Sequence, residues 1–213
     1  RSELAGLAVL STLSAGQPHR YDAPLRAPEA MGFWLYTSGT TGRSKAAIHA
    51  QRDVLGVDAY LRETLGVRPG DRLFATSRLF FAYALGNCLF GALRLGATTI
   101  LPRDWPTPAS TAMLLTRERP RWVFTVPAFL QQALAEDYAT DPGFATPQGY
   151  VSAGEHLGET LWRRWRHATR REIVEGIGTT ESLVMFLTAQ PGALQPGALQ
   201  PEALQPEALQ PGW

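Results

Sequence analysis

The sequence predicts an α/β fold, a partly parallel sheet flanked by helices, and three observations carry that prediction. Compact apolar runs alternate with helix-spaced segments from Phe33 to Glu175. Gly66 and Gly96 stop two of the helical segments before the next run begins. Thr107-Pro108 is a helix start, a capping hydroxyl followed by proline at the first helical position. Strands alternating with helices of this length pair in parallel, with helices on both faces. In such sheets ligands gather at the carboxyl ends of the strands.

Residues 1–30 read as a short helix and then a polar connector containing Pro18, Pro24 and Pro28. Residues 33–36 (Phe-Trp-Leu-Tyr) form an apolar strand, 37–45 a glycine- and hydroxyl-rich loop, and 46–50 a return strand. Residues 53–65 have helical spacing, Pro69-Gly70-Asp71 turns the chain, and 72–77 is a strand. The alternation repeats as an apolar helix over 84–95, a β-branched strand over 97–101 and the helix that opens at Thr107. A strand over 122–126, a helix over 127–136, a strand over 149–152, a helix over 159–168 and a strand over 172–175 complete it. From Pro191 the chain reads PGALQ, PGALQ, PEALQ, PEALQ, PGW. Proline at every fifth position blocks a regular helix, and no aromatic precedes Trp213, so this stretch is expected to be an extended tail. The expected organisation is a connector over 1–32, a core over 33–190 and a low-complexity tail over 191–213.

At 213 residues, 45% of them hydrophobic, the chain can bury one sizeable core. A formal net charge of +1 provides no global field for nucleic acid or an anionic membrane. No apolar run approaches the ~20 residues a spanning helix needs. Cys88 is the single cysteine, so no internal disulfide forms, and a reducing, cytoplasmic setting is expected. The first residues lack a signal-peptide pattern, and a start on Arg1 suggests that the native N-terminus lies elsewhere. Nothing in the pattern sets an oligomeric state.

The sharpest local feature is Tyr36-Thr37-Ser38-Gly39-Thr40-Thr41-Gly42-Arg43-Ser44-Lys45. Polyphosphate needs backbone N–H groups that approach closely, hydroxyl donors and a cation. Gly39 and Gly42 allow the approach, Thr37, Ser38, Thr40 and Thr41 supply hydroxyls, and Lys45 supplies charge. It is not a Walker A loop, because Lys45 stands three residues beyond Gly42 and Ala46 replaces the magnesium-binding hydroxyl. The stretch resembles the phosphate-loop signature of the adenylate-forming superfamily of acyl- and aryl-CoA ligases, luciferases and peptide-synthetase adenylation domains. Ser44 replaces the usual proline and Ala46 the usual glycine.

A second stretch, Glu175-Gly176-Ile177-Gly178-Thr179-Thr180-Glu181, is similar to that family's adenine and magnesium motif. The resemblance implies that Thr180 bonds the α-phosphate, Glu181 holds Mg²⁺, Ile177 lies against adenine beside Gly176, and Glu175 sits near the adenine amino group. Ser152-Ala153-Gly154-Glu155 resembles the segment beside adenine, which brings Gly154 and Glu155 into the nucleotide site. The run 79–87, Leu-Phe-Phe-Ala-Tyr-Ala-Leu-Gly-Asn, resembles the substrate segment of benzoate-type CoA ligases. There Phe81, Ala82 and Tyr83, with Gly178 and Val184, would wall a flat pocket for an aromatic ring. From composition alone, 79–87 reads equally well as core packing. The resemblance leads one to expect a histidine near the Val184 position; its absence shifts the expectation from plain benzoate toward a substituted benzoate, a heteroaryl acid or an arylalkanoate.

The resemblance covers roughly 33–187 and implies the central part of a large adenylation domain. It implies two steps: a small-molecule carboxylic acid attacks ATP to give an acyl-adenylate, with Lys45, Thr180 and Glu181 as the catalytic set, and coenzyme A then displaces AMP. No Thr-Gly-Asp ribose segment and no lysine-bearing lid follow Glu181, so the chain alone is expected to have little ligase activity. Two other outcomes share the same motifs: a peptide-synthetase adenylation domain loading a carrier protein, and a catalytically dead nucleotide-binding remnant. Trp162-Arg163-Arg164-Trp165-Arg166 admits a nucleic-acid role, but Leu161 and Trp165 at helical spacing favour one helix with solvated arginines. His49 is expected to be structural, and His19, His156 and His167 lack metal-ligand spacing.

Overall fold

The computed structural model describes residues 26–37, 44–188 and 191. The calls on Ser38, Gly39, Thr40, Thr41 and Gly42, on the first 25 residues and on the repeat beyond Pro191 lie outside the described residues. In chain order the elements are β1 (Met31–Thr37), β2 (Lys45–Ala50), α1 (51–64), β3 (Arg72–Ala75), α2 (82–95), β4 (Thr98–Ile100) and α3 (Pro108–Glu118). There follow β5 (Trp122–Thr125), α4 (Pro127–Ala135), β6 (Gly149–Ser152), α5 (Glu159–Thr169), β7 (Glu172–Gly178) and β8 (Met185–Thr188).

Six strands form one sheet in the order β4-β3-β5-β6-β7-β8, parallel throughout except for β8, which runs antiparallel along β7. Successive strand residues point to opposite faces, so each short apolar run feeds two cores at once. Leu73, Trp122, Phe124, Val151 and Val174 face one side, where Val57 and Leu61 of α1 and Ala84 and Cys88 of α2 cover them. Phe74, Val123, Tyr150 and Ile173 face the other, under Leu115 of α3, Leu130 of α4 and Trp165 of α5. Helices therefore flank both faces, as the alternation predicts. Trp165 anchors the second core, edge-on to Tyr150 at 5.0 Å and to Phe144 at 5.6 Å between ring centroids. Among the described residues no helix is long and apolar enough to cross a membrane.

β1 and β2 form a separate antiparallel pair, with Thr37 opposite Lys45 and Trp34 opposite Ile48. Phe33 turns inward and stacks on the buried ring of His49 at 4.7 Å. The Nδ1 of His49 lies 3.3 Å from Asp53 Oδ2, which also accepts the Ala50 N–H at 3.0 Å, so this histidine joins the hairpin to α1.

Several boundaries move. β3 stops at Ala75 rather than 77, although the Thr76 N–H still bonds the Phe124 carbonyl of β5 at 2.9 Å. β4 shrinks to Thr98–Ile100 and β5 stops at Thr125, while β7 runs on to Gly178. α2 begins at Ala82 and contains a π-helical stretch, Leu85–Gly91, where apolar periodicity alone predicts a regular helix. β8 has no counterpart in the sequence expectation: four residues after a polar turn become a strand only through their bonds to β7. In α5, Leu161 and Trp165 are buried, Arg163 pairs with Glu159, and Arg166 lies over the Trp162 ring at 4.5 Å. The arginine run is thus partly engaged on the helix's own surface.

Candidate functional site

Where the parallel strands end, the chain opens a cavity of about 630 Å³. Thr76 and Ser77 reach it after β3, Val126 after β5, Ala153 to Glu155 after β6, and Gly178 to Thr180 at the end of β7. α2 contributes Ala82, Tyr83 and Asn87, and Phe81 precedes it. The crevice lies here because the crossovers leave the strand ends to alternate sides and nothing fills the gap between them. All five residues expected to hold the acid, Phe81, Ala82, Tyr83, Gly178 and Val184, border this one cavity. Gly154, Glu155 and Thr180 of the expected nucleotide set border it too.

The Tyr83 ring stands edge-on to Phe124 at 5.8 Å, and its hydroxyl donates to the Val151 carbonyl at 2.8 Å. Burial, reinforced by Tyr60 and Cys88 nearby, holds that hydroxyl well above the ordinary tyrosine value, so it serves as a neutral donor and a fixed wall. The turn after β7 is tied internally. The Ser182 N–H reaches Thr179 Oγ1 at 3.2 Å, and the Ser182 hydroxyl donates to the Val184 carbonyl at 2.8 Å. Leu183 closes the turn in the left-handed region at φ 60, a conformation that costs about 1 kcal/mol in a non-glycine residue. That closure presents Thr180 and Val184 to the same space.

The remaining expected residues lie outside the cavity lining. Ile177 is exposed on β7, Gly176 is buried against Met185, and Glu181 is exposed on the turn. Glu175 accepts from the Leu157 N–H at 2.6 Å, and the same oxygen lies 3.0 Å from His156 Nδ1. It thereby orders the loop that carries Gly154 and Glu155. Thr37 and Lys45 face each other at the open end of the β1–β2 pair. Among the described residues no group of three or more His, Cys, Asp or Glu could hold a metal by itself.

Sequence reasoning missed Trp105, Phe129 and Gln132, which also line the cavity. Trp105 is held from outside by Arg78, whose guanidinium lies 5.2 Å from the ring centroid and donates to the Pro102 and Arg103 carbonyls at 3.2 Å. Its signal was an aromatic between two polar turns, too common to single out. A smaller cavity of about 410 Å³ adjoins, with Ser77 and Pro106 in both walls and Cys88 in its own. Burial pushes the Cys88 thiol far above its ordinary value. Cys88 is therefore expected to resist a disulfide reagent such as dithionitrobenzoate at pH 8 in the folded chain. It should react within seconds in urea. Fast stoichiometric labelling of the folded chain would contradict this.

A model of the family described as AMP-binding enzyme matches residues 4–206. The chain belongs to that family. Among curated relatives of this AMP-binding chain, it is 42% identical to a 3-hydroxybenzoate–CoA ligase of Aromatoleum sp. (strain CIB), over 86% of this chain and 35% of the relative. It is 38% identical to a benzoate–CoA ligase of Thauera aromatica, over 88% of this chain and 36% of the relative. Among solved structures, the anthranilate CoA ligase AuaEII in complex with anthranoyl-AMP superposes with a TM-score of 0.78 at 31% identity, covering 86% of this chain and 36% of that one. A benzoate CoA ligase from Burkholderia xenovorans LB400 gives 0.73 at 31% identity, covering 82% and 35%. The chain thus spans about a third of the length of these relatives.

Proposed function

We propose that this chain carries the acid pocket and much of the nucleotide site of an enzyme that activates a benzoate-type aromatic acid. The reaction consumes ATP, forms an aroyl-adenylate, and passes the aroyl group to coenzyme A. One observation carries the proposal: Phe81, Ala82, Tyr83, Gly178 and Val184, from three separate parts of the chain, wall one largely apolar cavity together with Thr180. A flat aromatic acid fits such a wall, with its carboxyl directed to the strand ends where Gly154, Glu155 and Thr180 stand. The names of the ligase relatives agree with this substrate class.

In this scheme Thr180 donates to the α-phosphate, and the exposed Ile177 offers a face to adenine. Lys45 and the loop from Thr37 orient the departing pyrophosphate. Glu181 suits a magnesium ion: it is an exposed carboxylate on the turn beside Thr180, and this ion takes one or two carboxylates and completes its shell with phosphate oxygens and water. Bound there, the metal would offset the charge that crowds the phosphates. Glu175 acts at one remove, through the loop it orders.

Calorimetry with a non-hydrolysable benzoyl-sulfamoyl-adenosine tests the assignment on the 213-residue chain. One molecule should bind per chain, more tightly than ATP or benzoate alone. At a hundredfold excess over Kd the ligand should add about 2.7 kcal/mol to stability. A chain that is folded by circular dichroism and binds no aroyl-adenylate analogue would refute the proposal.

A further inference from the structure

The two halves of the assigned site stand on different elements. Ala82 and Tyr83 of α2 wall the acid side. The turn after β7 carries Thr180 and Glu181, which the preceding assignment gives to the phosphates and their metal. The two elements meet backbone to backbone. A Cβ at Gly86 would lie 2.7 Å from the Leu183 carbonyl oxygen. That is well inside the ~3.5 Å at which non-bonded heavy atoms rest. Gly86 is buried in the π-helical stretch of α2, one helical turn on from Ala82 and Tyr83. The same turn is approached from β7, where a Cβ at Gly178 would lie 2.8 Å from the Val184 carbonyl. It is approached from α1 as well, where a Cβ at Gly56 would lie 3.1 Å from Val184 Cγ1. Three residues without side chains therefore form the seat of the turn.

A side chain at position 86 would have to move one of the two elements. α2 is the fixed one, because Ala84, Cys88 and Ala92 are fully packed in the first core. The turn is the yielding one, because Thr179 and Glu181 are exposed and its closure rests on the bonds of Ser182 and the left-handed Leu183. The displacement would carry Thr180 and Val184 away from Tyr83. An acid carboxylate attacks phosphorus only if both are held at the right separation, and small misplacements are costly. We propose that Gly86 is a positioning residue: its missing side chain sets the distance between the acid wall and the phosphate-binding turn, and so keeps acid and nucleotide in register. This rests on the acid and nucleotide assignments made above.

The test measures three ligands on the wild-type chain and on Gly86→Ala: benzoate, sulfamoyl-adenosine, and benzoyl-sulfamoyl-adenosine, which joins the two. The joined ligand gains over its halves only where both can be engaged at once, and that gain reports the register. In Gly86→Ala each half should bind within about threefold of wild type, while the gain of the joined ligand should fall about tenfold or more. Gly91→Ala is the control. Gly91 lies in the same stretch of the same helix, but a Cβ there meets the Leu61 and Val57 side chains of α1 instead of the turn. It should lower the thermal midpoint and leave the gain within about twofold, as expected for a site with no shared partner. If Gly86→Ala fails to fold, Gly56→Ala decides, because it presses the same turn more gently through a side chain; its gain should fall about fivefold. A gain unchanged in a folded Gly86→Ala, or unchanged in Gly56→Ala, would overturn the positioning role and leave the acid and nucleotide assignments standing. So would an equal loss of gain in Gly91→Ala. A folded wild-type chain that binds none of the three ligands would overturn the assignments themselves.

Discussion

Trp122→Ala is expected to cost about 3–5 kcal/mol of stability, the range for truncating a large buried aromatic. Trp122 is 1% exposed at the start of the central strand β5. Its Nε1 donates to the Leu65 carbonyl at 3.0 Å, which pins the end of α1 to the sheet. Its ring lies across Gly149 of the neighbouring strand so closely that a Cβ there would sit 2.6 Å from Cζ3. Truncation opens a cavity that the rigid sheet cannot collapse, and it removes the donor from Leu65. Typical domains are stable by about 5–15 kcal/mol, so the variant should lose a large fraction of its margin and shift its urea midpoint accordingly. Trp34→Ala is the control: that ring is half-exposed on the hairpin, and the change should stay at about 1 kcal/mol or less. Equal losses at the two positions would mean that Trp122 does not pack as described.

The largest effect on ligand binding is expected from Gly178→Val. A Cβ at Gly178 would lie 2.8 Å from the Val184 carbonyl and 3.3 Å from Met185 Cα, both backbone atoms. The Val184 carbonyl also accepts the Ser182 hydroxyl, the bond that closes the turn. A branched side chain must push β8 away from β7, loosen the turn, and enter the cavity that Gly178 lines. Thr180 and Val184 move with it. Affinity for the benzoyl-sulfamoyl-adenosine should fall at least a hundredfold, since small displacements of positioning groups have effects of that order. Thermal unfolding separates the causes, because β8 is an edge strand: Met185 joins one core, but the other contains no residue of β8 or its turn. A variant that binds within threefold of wild type would show that Gly178 is not at the ligand.

Much of the scaffold was legible because the relevant signals are local. Gly96 takes φ 67 at the end of α2, a conformation natural to glycine, and it stops the helix where expected. Thr107 accepts from the Ser110 N–H at 3.2 Å, as its place before Pro108 predicts. Leu161 and Trp165, four residues apart, both turn inward. Legibility failed where a partner distant in sequence decides the outcome. β8 exists through Gly176 and Gly178, and the π-helical stretch of α2 accompanies the side-chain bond from Asn87 to the Tyr83 carbonyl. The bond by which Glu175 orders the loop at Leu157, eighteen residues upstream, likewise has no signature in the sequence.

By itself the sequence determined the α/β alternation, the family, and five residues that the fold gathers at one cavity, since these rest on periodicity and on short motifs that survive without coordinates. The tertiary structure alone decided that residues from 76 to 185 enclose one space and that Trp105 and Phe129 share it. The physical reason is that hydrophobic pattern assigns a residue to a face of its own element, whereas a cavity is defined by where several elements fail to fill the space between them. That depends on strand order and crossover geometry, which no single segment encodes.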